Sequence, residues 1–212
     1  MKKLGQYLVL GAAALLPLPA VAQGTIVYVN PPDVIVGLLQ GAIAFDLNAD
    51  GISDIEFRKF SSEFEAIPLG NNEVSATAKP PPEVGGPAVP IPFGAQVNSS
   101  TPWQGRYSAP FVSDSGPLLA SNRGSLVAYG PFAGLDGYLG IRFYIGSNLH
   151  YGWIRLDLDN GYPNQALGYL TEWAYNSTPN APLAAGVVPE PSTWALLALG
   201  AAGFGMFRRR RA

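Results

Sequence analysis

From residue 23 to residue 186 the apolar residues come in short runs, and Gly, Pro, Asn or Ser interrupts each run before it reaches helical length. Runs of that size, broken by residues that turn the chain, favour strands over helices. The pattern predicts strands at 25–29, 43–47, 53–60, 73–78, 125–129, 138–145, 150–158 and 167–175. No amphipathic helical period appears outside the two ends. With 25 Gly, 20 Pro and 48% hydrophobic residues in 212, the expected fold is all-β. We read residues 23–186 as one β-sandwich or jelly-roll-like domain, long enough to build its own core. Residues 79–92 contain six prolines and are expected to cross that domain as an extended loop outside the sheets. No fixed-period repeat is present, which disfavours propellers and solenoids.

The side-chain inventory narrows the function. There is no Cys, which removes disulfides, thiolate nucleophiles and Cys-ligated zinc. There is one histidine, His150. Residues 23–186 carry 7 basic and 14 acidic side chains, a net charge of about −7. Nucleic acid is therefore an unsuitable partner, because phosphate contacts need clustered Lys or Arg. The composition points away from catalysis and toward a non-enzymatic role.

Both ends look like sorting segments. Lys2 and Lys3 precede an apolar run from Leu4 to Leu18, and Ala20-Val21-Ala22 supplies a small-x-small cleavage site. Residues 1–22 thus read as a secretory signal helix removed by signal peptidase. Residues 193–207 are apolar and are followed by four arginines, 208–211. Fifteen helical residues reach roughly 22 Å, short of a hydrocarbon core of about 30 Å. Such a transmembrane helix suits temporary holding, with the arginines kept cytoplasmic and the body outside. A plain tail anchor has the same hydropathy.

The residues in front of that span add what hydropathy lacks. Pro189-Glu190-Pro191, then the apolar segment, then the Arg cluster, resemble the PEP-CTERM sorting signal over residues 187–212. The resemblance implies export through the inner membrane of a Gram-negative bacterium and transient retention there by residues 193–207. It further implies processing by an exosortase and association with exopolysaccharide or biofilm at the cell surface. Pro189, Glu190 and Pro191 are the motif it assigns. Some proteins labelled ice-binding carry similar tails, but no regular Thr-x-Thr array is present here.

Within the body the sharpest motif is Asp46-Leu47-Asn48-Ala49-Asp50-Gly51-Ile52-Ser53-Asp54. Counted from Asp46, oxygen-bearing side chains fall at positions one, three, five and nine, Gly at six, and the Ile52 carbonyl at seven. That is the layout of a calcium loop, with hard oxygen ligands around a tight turn. Asp46, Asn48, Asp50, Ile52 and Asp54 are the candidate ligands of a structural Ca²⁺. Position twelve is Phe57, so the bidentate Glu of an EF-hand is missing. The loop resembles the strand-flanked calcium loops of FG-GAP and thrombospondin type 3 repeats, although those are repeated and this one is single. A solvated Asn-Asp-Gly turn that needs no ion is the competing reading.

A second informative stretch is the hairpin of 138–145 and 150–158. A turn at Ser147-Asn148 would set Phe143 opposite Gly152 and Ile141 opposite Ile154, placing the apolar residues together on one face. The other face then carries Arg142, Tyr144, Tyr151, Trp153, Arg155 and Asp157. Rings interleaved with charged groups suit a glycan, the first five being the candidate contacts. Equally, a second layer could cover the rings, with Arg142 stacked on Trp153. His150 beside the turn reads as a strand-end core residue.

The hairpin, together with Trp173-Ala174-Tyr175, Pro179 and Ala185-Gly186, also resembles the body region of many PEP-CTERM proteins. That pattern often has Glu where this chain has Asn176. Three functions follow: a calcium-braced, non-catalytic surface or matrix protein; a carbohydrate-binding module for exopolysaccharide; and, third, a secreted hydrolase using Asp157 and Asp159.

Overall fold

The computed structural model describes residues 25–36, 41–60, 63–78, 86–109, 112–121, 130–158 and 168–188. The signal segment, the strand expected at 125–129, Asp159, the sorting motif and the span at 193–207 lie outside these residues. The described chain is all-β, with no helix in it. Its strands are β1 (Ile26–Val29), β2 (Val34–Val36), β3 (Ala42–Phe45), β4 (Ile55–Phe60), β5 (Glu63–Pro68), β6 (Glu73–Ser75), β7 (Pro90–Ile91), β8 (Gln96–Val97), β9 (Trp103–Gln104), β10 (Tyr107–Ala109), β11 (Val112–Ser115), β12 (Leu118–Ser121), β13 (Asp136–Ile145), β14 (Asn148–Asp157), β15 (Gly168–Asn176) and β16 (Leu183–Ala184).

Two sheets carry most of these strands. The larger runs β1-β15-β14-β13-β6-β9, with β2 also on β15 and β7 also on β13; the smaller runs β12-β5-β4-β3. They share one core. Phe57, Phe64 and Leu119 of the smaller sheet cluster with Leu139, Ile141, Phe143, Ile154, Leu156 and Leu170 of the larger. Each such side chain removed from water contributes roughly 1.5–3 kcal/mol before entropy is counted. A second cluster occupies the outer face of the larger sheet, where Tyr151, Trp153 and Ala174 are covered by Ile91, Val97, Leu183 and Ala185.

The β13–β14 hairpin forms with the expected faces but a different register. Ile141 pairs with Gly152 and Phe143 with His150, so the turn is Gly146-Ser147 and not Ser147-Asn148. Gly146 has a φ of 62°. A two-residue turn whose first position needs positive φ is satisfied at least cost by glycine, which draws the turn one residue toward the N-terminus. A shift of this kind moves both strands together and keeps every side chain on its expected face.

β15 contains one irregularity that its sequence disguises. Arg155 pairs with Glu172 but Leu156 with Leu170, leaving Thr171 as an extra, bulged residue. The bulge reverses the alternation, so that Leu170 faces the same core as Trp173 and Tyr175.

The proline-rich stretch also departs from expectation. Its second half joins the sheet system: Pro90 and Ile91 pair with Leu139 and Tyr138, and Ala88 bridges Ala76. Ala88 and Ile91 are buried. Proline is tolerated there because β7 borders β13 over two residues only, where few ladder donors are required.

Candidate functional site

The 46–54 loop connects β3 to β4 as the strand-loop-strand reading requires, with Phe45 paired to Ile55 and the Asp54 N–H donating to the Phe45 carbonyl at 2.7 Å. Inside it the polar side chains turn toward the loop's own amides. Asp46 accepts from the N–H groups of Asp50 (3.2 Å) and Gly51 (2.7 Å), Asn48 from Asp50 (2.9 Å), and Asp50 from Ile52 (2.8 Å). Ala49 and Gly51 hold positive φ, 60° and 89°, which wraps the chain around these acceptors. Ile52 projects outward, 70% exposed.

Asp54 is set apart from the others. It is 4% exposed, and its Oδ2 accepts from the Leu47 N–H at 2.9 Å while its Oδ1 accepts from Asn72 Nδ2 at 3.2 Å. Burial pushes its carboxyl up to about 6, partly offset by those two hydrogen bonds. One oxygen thus closes the loop onto its own Leu47, and the other fastens it to Asn72 of the body. Trp173 adds a second fastening, its Nε1–H donating to the Leu47 carbonyl at 3.0 Å. Asn72 and Trp173 lie far from the motif in sequence, and nothing in the motif announces them.

The chemistry of the donor set, all hard oxygen, suits calcium. Its geometry is more restrained. Among the described residues no three His, Cys, Asp or Glu side chains converge as a metal-holding group. The side-chain oxygens of Asp46, Asn48 and Asp50 accept from the loop's own N–H groups.

Beside the loop opens a groove of ≈ 530 Å³, lined by Asp50, Ile52, Ser53, Asn71, Tyr144 and Ser147 among others. Tyr144 is 41% exposed. No Lys or Arg lines it.

The expected glycan face divides in two. Trp153 is fully buried and Tyr151 nearly so, beneath the β7, β8 and β16 segments. Their rings pack against protein: Trp153 against Tyr28 and Tyr138, Tyr151 against Trp103. Neither offers a ring face to a ligand. Arg142 stacks over Trp103 at 5.2 Å, and not over Trp153, and it bonds Glu73. Arg155 bridges Asp136 and Glu172, and Tyr28 donates to Glu172. That network holds Asp136 below the usual carboxylate range and, through the Glu172 bond, raises Tyr28. Only Tyr144 of the five candidates is an exposed ring, and it belongs to the groove.

His150 is a core residue, as expected. Its Nδ1–H donates to the Asn176 carbonyl at 2.8 Å, and its ring lies between Phe143 and Tyr175. Asn176 is equally committed, donating to the Pro182 carbonyl and accepting from the Thr178 N–H. Asp157 pairs in register with Asp136 and Tyr169.

The described chain ends at Val188, where it leaves the outer face of the larger sheet and runs into the tail. That tail defines the class: an exported chain with a membrane-anchored C-terminal sorting signal. Residues 187–211 match the PEP-CTERM protein-sorting motif, and the protein is therefore one that carries a PEP-CTERM sorting domain and is sorted by an exosortase. No curated protein and no solved structure matches the chain. The body thus stands on its own residues.

Proposed function

We propose that this is a non-catalytic protein of the cell surface or extracellular matrix, a β-sandwich-like body delivered by its tail and associated with exopolysaccharide. The observation that carries the reading is the sorting motif at residues 187–211, continuous with the last strand of the body. The absence of catalysis draws support from how the ionisable groups are used. His150 is committed to a backbone carbonyl, Arg155 to Asp136 and Glu172, and Asp54 to loop fastening. Signal peptidase and exosortase are the processing partners, and the inner membrane is a transient one. The test is a knock-out of the exosortase: the body should then stay in the membrane fraction instead of reaching the surface.

Calcium at Asp46, Asn48, Asp50, Ile52 and Asp54 belongs to the same proposal as a structural brace, supported by ligand type and spacing. Thermal melting in millimolar calcium should raise the melting temperature, and Asp50→Ala should abolish the rise. An unchanged melting temperature removes calcium from the account.

Carbohydrate binding is the second reading, favoured by one observation: an exposed Tyr144 ring beside Asn71, Ser53 and Ser147 in a groove without cationic side chains. Aromatic stacking with amide and hydroxyl groups and the Asp50 carboxylate, and with no cation to draw an acidic glycan, suits uncharged sugars. Affinity electrophoresis through neutral and acidic polysaccharides tests it. Retardation by a neutral glycan, lost in Tyr144→Ala, would support this reading; no retardation leaves the matrix role.

A further inference from the structure

The chain just ahead of the sorting motif is built into the body. β16 pairs with β8, the Ala185 N–H donates to Ala95, and the Gly94 N–H donates to Ala185. Leu183 and Ala185 are buried. Gly186, at φ 72°, is wedged so closely that a Cβ there would lie 2.6 Å from both the Phe93 ring and the Tyr138 hydroxyl. The chain therefore stays docked through the second cluster as far as Val188.

At this exit point the surface is apolar. Phe93, at the tip of the turn closed by the Ala95 N–H and the Pro92 carbonyl, is 71% exposed, and Val187 is 39% exposed. Neither residues 86–105 nor residues 173–189 contain a Lys, Arg, His, Asp or Glu side chain. Four residues, 189–192, separate Val188 from the apolar segment that begins at Thr193. Five extended Cα steps reach at most about 18 Å. The polar layer of a bilayer is itself on the order of 5–7 Å deep. The opposite end of the hairpin, Gly146-Ser147, lies about 27 Å along β13 from Tyr138, whose ring packs near Phe93.

We propose that the Phe93–Val187 edge seats in the interfacial layer of the bilayer that holds the tail, keeping the unprocessed body against the membrane by this edge. The inference rests on the tail being membrane-held. A short tether brings the edge to the lipid, and an exposed aromatic ring and a valine give it apolar surface to bury. The charges nearest to Tyr138, Arg155 and Asp136, are paired with each other, which lowers the desolvation cost of bringing them near the bilayer. Processing would free the edge together with the tail.

The chain has no cysteine, so a single introduced thiol reports one position. Full-length protein carrying Gln96→Cys or Ser147→Cys, labelled with an environment-sensitive dye, is reconstituted into phosphatidylethanolamine–phosphatidylglycerol vesicles containing nitroxide lipid. The expected result is quenching at position 96, none at position 147, and loss of the quenching at 96 when Phe93→Asp is added. Equal signals at the two positions, or quenching at 96 that survives Phe93→Asp, overturns the inference in a chain that floats with the vesicles. A chain that does not float overturns the membrane-held tail itself, so the two failures are distinct.

Discussion

Trp153→Ala is the substitution on which the description of the outer face depends most heavily. The indole is fully buried, T-stacked on Tyr138 at 5.2 Å and tilted against Tyr28 at 6.4 Å. Truncating a buried Trp costs about 3–5 kcal/mol through lost transfer energy and the cavity left behind. One contribution runs the other way. No described residue gives Trp153 Nε1 a hydrogen-bond partner, and removing an unsatisfied buried N–H returns about 1–3 kcal/mol. The net loss should therefore centre near 2 kcal/mol. Trp153→Phe keeps most of the ring volume and also deletes the orphan N–H, so it should change stability by less than about 1.5 kcal/mol. Urea unfolding of the body, followed by circular dichroism, measures both through the midpoint at constant slope. A Trp153→Ala variant within about 0.5 kcal/mol of wild type would be the effect of a surface ring and would refute the covered face. The burial also means that loss of glycan binding in Trp153→Ala would report unfolding, which makes Tyr144 the informative position.

Two glycines separate clash from strain. A Cβ on Gly152 would meet the Ala174 carbonyl oxygen at 2.6 Å, whereas Gly146 has open space around it and only a positive φ to lose. Gly146→Ala should cost about 1–2 kcal/mol, and in the same unfolding assay Gly152→Ala should cost more; the reverse order would contradict the β14–β15 packing. Tyr107 donates to the Gly116 carbonyl at 2.6 Å, and burial pushes its hydroxyl up to about 12 from an ordinary 10. A raised folded value means the stability is complete below pH 10 and lost as pH climbs toward 12. Melting temperatures should fall across that window, and Tyr107→Phe should fall less; an identical decline in both would deny the buried hydroxyl its part.

Much of the large sheet is legible in the sequence because alternation in 138–145 and 150–158 leaves one apolar face whichever turn closes the hairpin. The turn itself was decided by the positive φ of Gly146, a local backbone requirement that face-matching of Phe143 with Gly152 does not sense. β5 and β12 escape the pattern because Glu63–Pro68 is buried on both faces and Leu118–Ser121 is very short, so neither shows period-two contrast. Proline content hid β7 for the opposite reason: a two-residue edge contact needs almost no donors. In the 46–54 loop, spacing identified the oxygen-bearing residues, while their use as acceptors for the loop's own N–H groups depends on the positive φ at Ala49 and Gly51. The covering of Trp153 depends on segments remote in sequence, 90–97 and 183–185, and no local pattern in the hairpin encodes them.

The most direct test of the whole account is intact-mass analysis of the protein's C-terminus from cells with and without their exosortase. Cells with the enzyme should yield a secreted or surface-bound body that lacks the apolar segment and the arginines, and cells without it should yield the full tail in the membrane fraction. The same uncut C-terminus in both, on protein recovered from the cytosol, would contradict the account.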